Sequence, residues 1–174
     1  MLCSVFVGIS IDGFMARPDG SLDFLPEGGG EPHGYDEFFA SVDTLVIGRG
    51  TYETVVGFET WPYGKKRVIV LSSRMLVFSK LRDVPVEQMS GDPREIAAKL
   101  EAQGVKHAYI DGGVTIQRFL RAGLVQRLVI TRVPVLIGSG RPLFGPLDAD
   151  VRLRHVATRS FRSGLVQSEY IIEP

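Results

Sequence analysis

Residues 108–133, AYIDGGVTIQRFLRAGLVQRLVITRV, set a strand, a pair of glycines, a helix and a second strand in immediate succession. Strands joined through a helix run parallel, since the crossover returns the chain to the end where it started. Parallel sheets need cover on both faces, so this unit commits the chain to an α/β architecture. The glycine pair asks for more than that. A strand-to-helix turn needs one permissive residue at most, so Gly112 and Gly113 predict that something lies close against the backbone.

The same rhythm runs through the earlier part of the chain. Residues 2–9, 44–48, 66–72 and 107–110 are apolar or β-branched and read as buried strands. Residues 34–42, 51–57, 93–103 and 114–122 read as helices, and 124–133 as a further strand. Between Asp12 and Pro32 lies a long glycine- and proline-rich loop, a type that is usually functional or mobile. Past residue 133 the alternation stops. Residues 151–161 and 165–173, separated by RSG, read as an antiparallel hairpin. The expectation is one domain over 1–174, with a mostly parallel central sheet and an antiparallel C-terminal hairpin.

A chain of 174 residues buries roughly 70% of its unfolded surface, enough to hold a fold without disulfide or metal staples. Twenty Lys and Arg balance twenty Asp and Glu, so no global field draws it to nucleic acid or anionic lipid. Cys3 is the one cysteine, which rules out internal disulfides and thiolate-rich zinc sites. The first ten residues are apolar but lack a basic flank and a small-residue cleavage site, so they read as a strand rather than a leader. Cytoplasmic location is expected, with neither membrane nor nucleic acid as partner. His33, His107 and His155 are scattered and show no metal-ligand spacing.

Ligands of open α/β sheets bind at the carboxyl ends of strands. Three such ends carry suggestive residues. In VIGRGTYE, Gly48, Arg49 and Gly50 precede a helix opening at Thr51, offering backbone donors and a guanidinium to an anion. The alternative is that the glycines shape a turn, Thr51 caps the helix and Arg49 is solvated. In VLSSR, residues 70–74, Leu71, Ser72, Ser73 and Arg74 suit a phosphate monoester or an ordinary polar loop. In DGGVT, Gly112 and Gly113 leave room for a pyrophosphate at a helix start. This is not a GxGxxG fingerprint, and GSGRPLFG (138–145) does not open a helix, so a Rossmann domain is not indicated. A dinucleotide with a 2′-phosphate would use three anion-friendly strand ends, two of them bearing arginines.

LVIGRGTYE, KKRVIVLSSR and YIDGGVTIQRFLRAGLVQRLVITRV resemble, in order and spacing, the dihydrofolate reductase fold. VGISIDGFMARPDGSLDFL and VPVLIGSGRPLF are closer to one branch of it. That branch is the reductase domain of the bifunctional riboflavin-biosynthesis deaminase–reductase and its stand-alone relatives. The resemblance spans nearly the whole chain.

It implies an NADPH-binding, three-layer α/β/α fold. By that match Arg49 and Thr51, with Gly48, belong to the phosphate-gripping turn, and Leu71, Ser72, Ser73 and Arg74 lie near the adenosine 2′-phosphate. Gly112 and Gly113 match a glycine pair that is joined by a cis peptide in dihydrofolate reductases. Val114 and Thr115 extend the pyrophosphate site, and Ala16 matches a position near the nicotinamide. On the substrate side Asp36, with Glu37 as competitor, matches the acid that anchors the pterin, and Thr131 its supporting threonine. Asp111 matches an acid that touches the substrate in the riboflavin branch. Asp12 is expected to hold the loop together.

The deaminase half is missing: no His-x-Glu accompanies a Pro-Cys-x-x-Cys. GSLDFLPEGGGEPHGYDEF stands where dihydrofolate reductases have a proline–tryptophan loop, and Trp61 lies further along, in an expected turn. The implied activity is NADPH-dependent hydride transfer to a heterocycle or aminosugar, most like 5-amino-6-(5-phosphoribosylamino)uracil reductase. Reduction of dihydrofolate or another pterin is one alternative, and a non-catalytic NADPH-binding module is another. A homodimer is expected, because an apolar final strand at a sheet edge needs cover.

Overall fold

The computed structural model describes residues 1–26, 31–78 and 84–173; residues 27–30 of the expected first loop lie outside them. In chain order come β1 (Leu2–Ser10), β2 (Phe14–Ala16), α1 (Tyr35–Ser41), β3 (Thr44–Gly48) and α2 (Arg49–Val55). Next are β4 (Arg67–Leu71), β5 (Val86–Met89), α3 (Pro93–Ala102), β6 (His107–Asp111) and α4 (Gly113–Arg121). The chain closes with β7 (Arg127–Val133), β8 (Arg141–Pro142), β9 (Leu153–Ser160) and β10 (Val166–Ile172).

Eight strands form one sheet in the order β5-β4-β3-β6-β1-β7-β10-β9. The first six are mutually parallel, and β10 joins β7 and β9 antiparallel. Strand residues alternate between two cores, as a period of two requires. Val46, Ile69, Ala108 and Ile110 pack with Ile96 and Leu100 of α3 and Ile116 and Phe119 of α4. Their neighbours Leu45, Ile47, Val68, Val70 and Tyr109 pack on the opposite face with Phe38 of α1 and Tyr52 and Val55 of α2. Three layers result. Each fully buried side chain of this size contributes roughly 1.5–3 kcal/mol before conformational entropy is set against it.

The last strand departs from expectation. β10 is an inner strand, flanked by β7 and β9, so the premise that it needs a partner at an edge fails. The edge is β9, where Leu153 and Val156 are exposed. The first loop and the GSGRPLFG segment also meet, in a second, two-stranded sheet of β2 and β8. Asp12 fastens this arrangement from the side, accepting from the Ile137 and Gly138 backbone N–H groups at 3.3 and 2.7 Å. Trp61 is half-buried and stands edge-on to Tyr63. His107 is taken up structurally, its ring nitrogens meeting Ser4 Oγ and the Ser41 carbonyl. Among the described residues no helix is long and apolar enough to cross a membrane, and no group of three metal-ligating side chains occurs.

Candidate functional site

β4, β3 and β6 are neighbours, and their registers pair Gly48 with Leu71 and Ile47 with Asp111. The three suspected strand ends therefore finish side by side. Around them runs a groove of about 540 Å³. Gly48, Arg49, Leu71, Ser72, Ser73 and Arg74 line it from β3, α2 and the β4 end, and Val114 and Thr115 from the start of α4. Ser90, Gly91, Ile96 and Arg118, which no motif marked, complete it.

The guanidinium groups in this groove differ in commitment. Arg74 is exposed and its side chain has no polar partner among the described residues. Arg118 donates to the Gly91 carbonyl at 2.8 Å. Arg49 is turned along its own helix toward Glu53, at 2.8 Å in an exposed i,i+4 pair. Such pairs contribute about 0.3–0.5 kcal/mol, so an anion in the groove would easily draw Arg49 away. α2 begins at Arg49 rather than at Thr51, which places Thr51 inside the first turn instead of at the cap.

Ser72 is not free to hold a phosphate. Its hydroxyl donates to the Arg74 carbonyl at 2.7 Å and accepts from the Arg74 N–H at 3.0 Å, closing the turn on itself. Gln88 of β5 clamps the same turn, donating to the carbonyls of Ser72 and Arg74 and accepting from the Leu76 N–H. The turn thus holds Ser73 and Arg74 outward.

The glycine pair is approached closely by the protein itself, without the cis link that the resemblance implied. Among the described residues every peptide bond is trans, so the cis link does not occur. Gly112 instead adopts φ 91°, ψ 130°, and a Cβ there would overlap Thr51 Oγ1. A Cβ on Gly113 would come within 3.2 Å of the Pro142 carbonyl and 3.6 Å of Met15 Sδ. The backbone at the pair is approached by the protein's own α2 and by the β2–β8 sheet.

A second cavity, of about 270 Å³, opens on the other side of that junction and shares Gly50 with the groove. Ala16, Thr51, Gly112 and Gly113 line it, with Asp111 at the β6 end. Tyr35, Tyr63, Tyr109, Phe58 and Met15 form much of its wall, and Arg141 of β8 stands at it as well. Burial pushes the Asp111 carboxyl up to about 6, partly offset by the Gly112 backbone N–H. The three phenols are raised by burial and then by the nearby Asp111 charge, Tyr35 to about 12. Tyr109 donates to the Phe6 carbonyl at 2.7 Å. The hydroxyls of Tyr35 and Tyr63 have no hydrogen-bond partner among the described residues.

Asp36 and Thr131 are not brought together here. Asp36 is exposed on α1 and absent from the cavity wall, because the 100° step of the helix turns Tyr35 inward instead. Glu37 lines a separate cleft with Arg127, Arg159 and Glu169. Thr131 is buried on β7, its hydroxyl accepting from Gln167 Nε2 at 2.9 Å. Of the proposed acids only Asp111 meets the cofactor-side residues.

A family model described as RibD C-terminal domain matches residues 3–167. The uncharacterized protein YwjB of Bacillus subtilis (strain 168) is 33% identical over 170 residues, which cover 96% of this chain and 95% of that one. A crystal structure from Shewanella sp. PV-4, of a protein assigned to riboflavin biosynthesis, is 37% identical with a TM-score of 0.92, each chain covered in full. Dihydrofolate reductase from Enterococcus faecalis, 21% identical, shares the fold at a TM-score of 0.66 over 99% of this chain and 97% of its own.

Proposed function

The chain belongs to the RibD C-terminal domain family, and on that premise we propose that it is an NADPH-dependent reductase. The observation that carries this reading is the groove where three parallel strands end together, bearing Arg49, Arg74 and Arg118 and adjoining the cavity of Asp111. A dinucleotide with an extra phosphate needs several cations spread along an extended slot, and a mononucleotide does not. Arg74, without a side-chain partner among the described residues and held outward by the Ser72 turn, fits the 2′-phosphate. Arg49 and the first N–H groups of α4 fit the diphosphate. Ala16 and Met15, on the wall of the Asp111 cavity, fit the nicotinamide end.

Bound NADPH would supply the hydride. The chain's own part is to orient the acceptor and to hold a proton near it. Asp111, with its raised pKa, is the group placed for that, in preference to Asp36. The acceptor class is a carbonyl or C=N of a heterocycle or aminosugar, of which 5-amino-6-(5-phosphoribosylamino)uracil is the example the family suggests.

Fluorescence titration of NADPH and NADH against wild type and Arg74→Ala tests the reading. The expected result is a preference for NADPH of tenfold or more that collapses in the variant. Absence of binding to either nucleotide overturns it. Tight NADPH binding with no turnover on any heterocycle would favour a non-catalytic nucleotide-binding module.

A further inference from the structure

The cavity at Asp111 is apolar and aromatic on most of its surface, and its charges are unusual for a site that would read a phosphate. Phe58, Leu22, Val55 and Met15 contribute no polar atoms suited to an anion, and apart from Arg141 the titratable wall consists of Asp111 and tyrosines. A phosphate dianion brought beside a carboxylate in such surroundings is repelled, and stripping its water is unfavourable unless cations replace it. One guanidinium is available, that of Arg141. It lies closest to Gly20 of the same cavity: a Cβ on Gly20 would lie 3.0–3.2 Å from its terminal atoms and one on Gly50 4.0 Å. Gly50 lines the nucleotide groove too, but Arg141 itself lines only the cavity, and a single cation does not offset a dianion set beside a carboxylate. Among the described residues no lysine lines the cavity.

The polar groups that remain are suited to a neutral ring. Tyr35 and Tyr63 present hydroxyls without partners among the described residues, and Asp111 can donate when protonated or accept when not. A volume of about 270 Å³ lies just under the range of roughly 300–1,000 Å³ typical of drug-sized ligands, so a ring with short substituents fills it. We propose that this cavity takes a flat, uncharged heterocycle without a phosphate group, held among Tyr35, Tyr63 and Phe58 and anchored through Asp111. The proposal rests on the reductase reading for the fate of the ring, and it separates this chain's substrate from phosphoribosylated ones.

The test uses the two halves of the phosphoribosylaminouracil as probes. 5,6-Diaminouracil and ribose 5-phosphate are titrated calorimetrically into the full chain at pH 7, with and without saturating NADPH. Diaminouracil is expected to bind at least tenfold more tightly than ribose 5-phosphate. Asp111→Asn should weaken it tenfold or more and Tyr63→Phe several-fold, with thermal melts confirming that each variant folds. Ribose 5-phosphate binding as tightly as the ring, and lost in Arg141→Ala, would overturn the proposal, as would failure of both probes. The NADPH titration is independent: ring binding without NADPH binding would defeat the reductase reading and leave this one standing.

Discussion

The hydroxyl of Thr51 occupies the space where a side chain on Gly112 would begin. α2 and the start of α4 therefore touch through a glycine that no other residue can replace. The φ of 91° adds a second obstacle, since L side chains rarely adopt it, at about 1–3 kcal/mol. Gly112→Ala is expected to lower stability in urea by several kcal/mol and to abolish NADPH binding. Thr51→Ala in the same chain should restore part of the stability and leave the φ cost. No recovery in the double variant would show that crowding against Thr51 is not the cause.

Asp36 and Asp111 give opposite expectations. Asp36 lies exposed outside the cavity, and Asp36→Asn should change kcat/KM by less than about twofold. Asp111→Asn removes the one acid that, among the described residues, meets the cofactor-side residues, and a loss of about 10²-fold or more is expected in steady-state assays. A large effect at Asp36 alone would return the catalytic role to α1.

Much of the fold is legible in the sequence, because buried parallel strands announce themselves by unbroken apolar runs and their carboxyl ends by the glycines, hydroxyls and arginines just beyond them. β3, β4 and β6 read that way, and so do the groove residues at their carboxyl ends, though not Ser90, Gly91 and Arg118. β5 does not: VEQM sets two polar residues between two apolar ones over four residues at an edge, with no alternation to mark a strand, and Gln88 is invisible with it. β2 and β8 span three and two residues, too short for any period. The aromatic wall escapes for another reason. Tyr35, Tyr63 and Tyr109 come from a helix, a turn and a strand that only the sheet order brings together. Asp36 misses the cavity wall by a single helical step, and the edge position of the last strand fails because a hairpin's pattern does not say which arm lies outside.

The raised Asp111 pKa makes a stability prediction. A carboxyl held at about 6 in the fold, against an ordinary value of 3.8, binds its proton more tightly when folded. Its contribution to stability is therefore greatest below pH 4 and is lost as pH rises through 6. Above that, the ionised group opposes folding by on the order of 2–3 kcal/mol. Urea midpoints of wild type and Asp111→Asn should diverge between pH 4 and 7, with the variant the more stable at pH 7. Parallel curves over that range would contradict it.

The thiol of Cys3 is buried on β1, and burial pushes its pKa up to about 11. At pH 8 the thiolate fraction is then about one part in a thousand, and the sulfur is also shielded by the core around it. Labelling by a thiol-reactive dye should be at least about 10³-fold slower than for a free cysteine and should reach full rate only in denaturant.

The edge strand β9 frames the expected homodimer. Its exposed Leu153 and Val156 and its unpaired backbone offer a second copy a place to add. An antiparallel pairing centred between Val156 and Ala157 sets Arg154 of one copy opposite Arg159 of the other. Like charges placed directly opposite are destabilising, and salt screens them. A β9 dimer should therefore tighten as salt is raised, unlike an interface held by ion pairs. Light scattering should give twice the 19.1 kDa chain mass at high ionic strength and shift toward one chain at low. Val156→Lys should keep it single throughout. A dimer that weakens with salt, or that survives Val156→Lys, places the interface elsewhere; a single chain at every concentration removes the dimer.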